Sequence, residues 1–229
     1  MFKKYISESV GTGVLVFMGC GTAMLVGCDP SGSGYLMTAL AFGLSIVAMA
    51  YSVGNISGGH FNAAVTLAVL MRKKITTREA VMYWIFQLIG AFIGSAVLAL
   101  IFVMGDVKDM TGALGSNGLA GVNGSAGVGL LVEIVLTCIF VLTILGVTSE
   151  KFAHGSFAGL IIGLTLTFVH ILGIGLTGTS VNPSCSIAPA VVSALSGNGE
   201  PLHSLWVFIV GPLVGAALSA VLYNYLERE

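Results

Sequence analysis

The chain has 229 residues, of which 56% are hydrophobic and 8% charged, with a mean hydropathy of +1.00. An ordinary soluble domain carries roughly 25% charged residues, so this composition excludes one and reads as a polytopic membrane protein. The formal net charge of −1 offers no basis for nucleic-acid binding or for a strongly acidic partner.

Lys3 and Lys4 precede the first apolar run, at about 8–27. A secretory leader could begin that way, but this run carries Glu8, is long enough to span, and lacks a convincing small-residue cleavage site. It reads as the first span, and a second follows at about 35–54. Next comes Ser57-Gly58-Gly59-His60-Phe61-Asn62, then about ten helix-compatible residues. At 1.5 Å per residue these reach about 15 Å, half of a hydrocarbon core about 30 Å thick. Further spans are expected at about 80–104, 127–148 and 157–177. A second short segment then opens at Gly178-Thr179-Ser180-Val181-Asn182-Pro183, and the last span falls at about 203–225.

With six spans and both termini cytoplasmic, Lys3, Lys4, Arg72, Lys73, Lys74, Arg78, Lys151 and Arg228 lie on one side and only Lys108 on the other. Short cytoplasmic loops carry the positive excess, and an odd number of spans would split the termini between faces. Cys20, Cys28, Cys138 and Cys185 are scattered, mostly in apolar segments, and form no CxxC pair. They imply no disulfide framework, no metal site and no cofactor, and they leave the redox compartment open.

The chain reads as one channel domain, 1–229, containing a duplication. Glu8 and Glu133 stand 125 residues apart, Asn62 and Asn182 120, and Gly90-Ala91 and Gly215-Ala216 again 125. A near-constant offset indicates two copies, about 1–115 and 127–229, each with three spans and one half-helix. An odd number of spans per copy inverts one copy relative to the other, a plan whose interrupted helices converge at the midplane. Glycines four apart, such as Gly90 and Gly94 or Gly211 and Gly215, read as close helix packing.

Backbone that leaves helical geometry inside a bilayer must line a water-filled cavity or be buried in protein. The runs 51–61 and 172–181 are expected to be non-helical, with Gly58 and Gly59 among the glycines that permit the turns, and their carbonyls to form a ladder of acceptors along a narrow path. Asn62 and Asn182 suit the cap positions of two half-helices, and Pro183 suits a first helical residue. Two helix N-termini aimed at one point contribute roughly half a positive charge each, which passes neutral molecules and opposes cations. Asn62, Ala63, Ala64, Asn182, Pro183 and Ser184 are therefore placed at a pore centre. Glu8 and Glu133 could relay protons, but their symmetry favours a brace, each accepting from the loop of a half-helix. His60 could line the cytoplasmic vestibule or brace its loop. Trp84 and Trp206 read as interfacial anchors.

Ser57 to Asn62 and Thr179-Ser180-Val181-Asn182-Pro183, together with Glu8 and the six spans, resemble the major intrinsic protein family, the aquaporins and glycerol facilitators. That resemblance implies an all-α membrane protein with six transmembrane helices and two reentrant half-helices, a homotetramer in the cell membrane, and a passive channel rather than an enzyme. The family's paired motif is Asn-Pro-Ala. Here Ala63 replaces the first Pro, Ser184 replaces the second Ala, and Cys185 stands where the family has a filter arginine. By local match the other filter positions are Phe42, His170 and Thr179. Phe with His resembles a narrow, water-selective filter, and Ser186 stands where glycerol facilitators usually carry an acidic residue. Water is the favoured permeant. The alternative is a broader channel for glycerol, ammonia or hydrogen peroxide, because losing arginine removes a fixed charge and five donors. An ion-coupled transporter would want a midplane carboxylate, and Glu8 and Glu133 lie near span starts. An intramembrane enzyme would want a nucleophile and base at useful spacing, and none is present.

Overall fold

The computed structural model describes residues 2–29, 31–152 and 155–227, and among them every regular element is helical. Arg228, assigned above to the cytoplasmic side, lies outside the described residues. In chain order the elements are α1 (Phe2–Val26), α2 (Ser33–Met49), α3 (Asn55–Ser57), α4 (Ala63–Met71) and α5 (Thr77–Met104). They continue with α6 (Ala126–Val147), α7 (Ala158–Thr177), α8 (Pro183–Leu195), α9 (Glu200–Ser204) and α10 (Val207–Leu226). Six continuous helical stretches, beginning at residues 2, 33, 77, 126, 155 and 200, are long and apolar enough to cross a membrane. The protein is a multi-pass membrane protein. Each expected span is found, with ends shifted by up to six residues.

The two short helices differ in reach. At 1.5 Å per residue the nine residues of α4 cover about 14 Å and the thirteen of α8 about 20 Å, both short of a hydrocarbon core. Asn62 and Asn182 occupy their N-caps, and Pro183 is the first residue of α8, where its missing N–H costs nothing. The sequence Thr76-Thr77-Arg78-Glu79 closes a capping box at the start of α5. Glu79 N donates to Thr76 Oγ1 and Thr76 N donates to the Glu79 carboxylate, each at 3.2 Å.

The non-helical runs are shorter than the glycine content implied. Residues 50–54 form a π-helical turn that carries α2 into α3, and α7 runs unbroken to Thr177. Only 58–62 and 178–182 leave helical geometry. Within a bilayer a wide turn still satisfies most backbone groups, so the chain stays wound until the last possible residue. The hydroxyl of Ser7 donates to the Val53 carbonyl at 2.6 Å, within this wide turn.

Two helix pairs, α1 with α5 and α6 with α10, flank the centre, and α2 packs along α7. The glycine spacing serves these contacts. A Cβ on Gly94 would come within 2.6 Å of the Gly13 carbonyl oxygen, and one on Gly211 within 2.6 Å of Glu133 Cβ. Gly94→Val should therefore cost about 1–3 kcal/mol, as overpacking does. Gly127, with nothing within 4 Å of its Cβ position, should accept alanine with little change. Thermal unfolding of both variants in detergent checks this. Equal midpoints would show that α1 and α5 have room to part.

Candidate functional site

The site starts from two buried carboxylates. Glu8 and Glu133 are fully buried on α1 and α6. Glu8 accepts from the backbone N–H of His60 at 3.0 Å and Phe61 at 2.7 Å, and from the Ser57 hydroxyl at 2.7 Å. Glu133 accepts from the backbone N–H of Ser180 and Val181, each at 2.9 Å, and from the Thr177 hydroxyl at 2.7 Å. Each carboxylate thus holds the backbone of one non-helical loop, which is the brace geometry rather than a relay. The strain they hold is visible. Phe61 and Val181, both immediately before an asparagine cap, have φ of 48° and 44°. Left-handed backbone is costly for such residues, about 1–3 kcal/mol each, and persists only where the surroundings over-determine it.

The asparagines are tied reciprocally. Asn62 Oδ1 accepts from Ala64 N at 2.7 Å and Val65 N at 3.3 Å, while its Nδ2 donates to the Val181 carbonyl at 2.7 Å. Asn182 Oδ1 accepts from Ser184 N at 3.1 Å and from Ala63 N, the first residue of the other half-helix, at 3.3 Å. Its Nδ2 donates to the Phe61 carbonyl at 2.9 Å. Each amide therefore grips the residue before the other asparagine. Two helix N-termini are held against one point, and their partial positive charges add there.

An inner cavity of about 480 Å³ runs from this junction. Asn62, Asn182, Gly58, Gly59 and His60 line it, and at one end it reaches Phe42, His170 and Cys185. The rings of Phe42 and His170 stack with centroids 4.4 Å apart. The Nδ1 of His170 lies 2.8 Å from the Leu166 carbonyl, which can only accept, so Nδ1 carries the proton. Nε2 has no protein partner among the described residues, and neither has Thr179 Oγ1. Beyond lies a chamber of about 50 Å³ that shares Phe42 and Cys185 with the inner cavity and adds Thr179, Cys20, Cys28 and Asn117. Phe42 and Cys185 thus border both spaces. The cysteines scattered in sequence come together here: Cys20, Cys28 and Cys185 line one chamber, and only Cys138 is elsewhere.

Not every residue of the expected pore centre faces the cavity. Ala63, Pro183 and Ser184 line a separate, wholly apolar groove of about 270 Å³ with Trp84 and Leu213, and Ala64 is buried in the core. A helix that presents its N-cap side chain to a lumen turns its first residues roughly 100° and 200° away from it. Trp84 is also corrected: its Nε1 donates to the Ala63 carbonyl at 3.0 Å, which ties it to the half-helix rather than to an interface. His60 lines the inner cavity, and its Nδ1 lies 3.0 Å from Thr66 Oγ1.

Sequence reasoning missed Gln87 and Tyr83. Gln87 Nε2 donates to Glu8 at 2.7 Å and Thr66 Oγ1 at 3.0 Å, and Tyr83 donates to the Ser57 carbonyl at 2.5 Å. A polar amide inside an apolar span was the available signal. The repeat offset could not have found it, because Pro212 stands 125 residues on and has no side-chain donor. The ring around the other end of the inner cavity was missed too. There Arg72 pairs with Glu227 and lies 4.6 Å over the Tyr223 ring, Ser149 Oγ donates to Glu227 at 3.0 Å, and Lys74 pairs with Glu150 at 2.9 Å.

Six spans and two half-helices meeting at a polar, cavity-lined junction define a membrane channel architecture. The chain belongs to the major intrinsic protein family, whose members are passive channels and not enzymes, and it matches that family over residues 1–223. It is 41% identical to aquaporin Z of Brucella melitensis, over 99% of this chain and 98% of that one. It is 42% identical to glycerol uptake facilitator protein-like 6 of Lactiplantibacillus plantarum, over 99% of each. Among solved structures, the aquaglyceroporin from Plasmodium falciparum superposes with a TM-score of 0.86 at 25% identity, covering 97% of this chain and 95% of that one.

Two outcomes follow from the geometry. Glu133→Gln replaces an acceptor oxygen with a donor against the Ser180 and Val181 N–H groups. It should cost about 1–3 kcal/mol, the price of a buried donor left unpaired. A lowered unfolding midpoint together with reduced transport checks it, and an unchanged midpoint contradicts the brace. At the charged mouth, hydrogen bonds from Arg72 and Ser149 hold the Glu227 carboxyl below the ordinary carboxylate range. The tie is therefore complete at neutral pH and lost only as pH falls through that lowered value. Hydrogen exchange at residues 149–151 should be faster in Glu227→Gln at neutral pH, and should rise in the unmodified protein only in acid.

Proposed function

We propose that this protein is a passive water channel that conducts single-file water along an osmotic gradient and excludes ions. The carrying observation is the reciprocal pairing of Asn62 and Asn182 at the joined N-termini of α4 and α8, on a cavity that narrows at Phe42, His170 and Cys185. In this reading the two halves, about 1–115 and 127–229, are inverted copies. The charged ring at Arg72 and Glu227 is the cytoplasmic mouth, both termini are cytoplasmic, and four copies assemble in the plasma membrane. Asn62 offers a fixed donor to a passing oxygen, and the positive helix ends oppose cations. The stacked Phe42 and His170 rings favour a narrow passage.

A second reading, a channel open to glycerol and other small neutral solutes, draws on Cys185. A thiol where the family carries arginine leaves the constriction with no fixed charge and a smaller side chain. The similarity to a glycerol uptake facilitator-like protein points the same way.

Side-by-side water and glycerol flux in proteoliposomes tests both. Water should pass with a low activation energy, since preformed acceptors and the Asn62 amide replace water–water hydrogen bonds. A water rate equal to that of empty liposomes contradicts the channel. Measurable glycerol flux that falls in Cys185→Arg, with water retained, would favour the broader reading. Asn182→Asp places an acceptor-only negative charge between the two helix ends and should admit a cation leak, read as conductance. Unchanged conductance and unchanged water flux would place the centre of selectivity elsewhere.

A further inference from the structure

Each asparagine amide carries two N–H groups, and the four at the junction are not used alike. Asn62 Nδ2 donates to Val181 O, has no second protein acceptor among the described residues, and lines the inner cavity. Asn182 Nδ2 donates to Phe61 O at 2.9 Å and also to Cys185 Sγ at 3.0 Å, so both of its N–H groups are engaged. Cys185 is the third residue of α8, nearly one helical turn beyond the cap, and is buried between the two cavities it borders. Its sulfur therefore touches both the border between the cavities and the Asn182 amide.

We propose that Cys185 is a positioning residue for the pore centre: its sulfur holds the second N–H of Asn182 and leaves Asn62 as the only asparagine donor to the permeant. This rests on the channel reading. A permeant oxygen at the centre then accepts one asparagine hydrogen bond in place of two. It is held less tightly and oriented less strictly than it would be by two asparagine donors. The substitution at position 185 thus acts on the centre as well as on the width of the constriction. The two asparagines, equivalent in the repeat, become unequal in function.

Serine and alanine at position 185 separate these effects. Both are close in size and widen the constriction alike, but only serine keeps an acceptor for Asn182. With asparagine side chains 15N-labelled in protein reconstituted in bilayers, the Asn182 amide should exchange with pore water about threefold or more slowly than the Asn62 amide, the worth of one net hydrogen bond. Cys185→Ser should preserve that difference, and Cys185→Ala should abolish it. In the same bilayers Cys185→Ala should pass water about threefold faster than Cys185→Ser, because a second donor replaces a lost water–water bond. Level exchange of the two amides in the unmodified protein, or identical exchange in the serine and alanine variants, would overturn the positioning role. Water flux at the level of empty bilayers in all three proteins would instead overturn the channel reading, whatever the exchange shows.

Discussion

Hydrocarbon offers no partner to an unpaired N–H, and two buried carboxylates answer that constraint at the centre of this protein. Loops 58–62 and 178–182 break off helical pairing within the span of the bilayer, where each unsatisfied group costs several kcal/mol. Glu8 and Glu133 each take two successive backbone N–H groups and a neighbouring hydroxyl. A short side chain could not reach a loop from a neighbouring helix and accept three bonds, and an amide in its place would point a donor at donors. Burial of these side chains is tolerable because their oxygens are supplied with hydrogen-bond donors on the loops they hold. The left-handed conformations of Phe61 and Val181 persist because these bonds hold them.

From that brace the rest follows by proximity. Fixing the residue before each asparagine fixes the carbonyl that the other asparagine's amide grips, so the two half-helices are locked to each other as well as to the helices that carry Glu8 and Glu133. Locked N-termini place positive potential at one point without a charged side chain. The close approaches at Gly94 and Gly211 bring α1 to α5 and α6 to α10, and so carry Glu8 and Glu133 within reach of the loops. The two loops are not equal in support. Gln87 and Tyr83 reinforce the first loop, whereas the second relies on Glu133, Thr177 and the bond from Ser186 to Asn117.

Much of this was legible in the sequence because it rests on spacing. Length and hydropathy give the six spans, the 120-residue offset pairs Asn62 with Asn182, and the same offset pairs Ser57 with Thr177. What was illegible depends on rotation about a helix or on contacts between distant loops. That Ala63, Pro183 and Ser184 turn from the cavity follows from helical phase once the cap is placed, but the motif alone gives no phase. Glycine content overstated the broken backbone, since a π-turn keeps 50–54 wound. The thiol-lined chamber arises only when α1, α2 and α8 converge, whereas the bond from Asn182 to Cys185 is local to the first turn of α8 and depends on side-chain rotation that the motif does not give.

A single-file path makes one demand that a wide pore or a leak does not: water molecules move in concert, so osmotic and diffusive permeability differ. The ratio of osmotic to diffusive water permeability, measured on the same reconstituted protein, therefore tests the account most directly. A file of waters held between the constriction and the Asn62–Asn182 junction predicts a ratio well above unity. A ratio at unity, with flux above that of empty bilayers, would contradict it, because water would then be crossing by a path that the braced half-helices do not control.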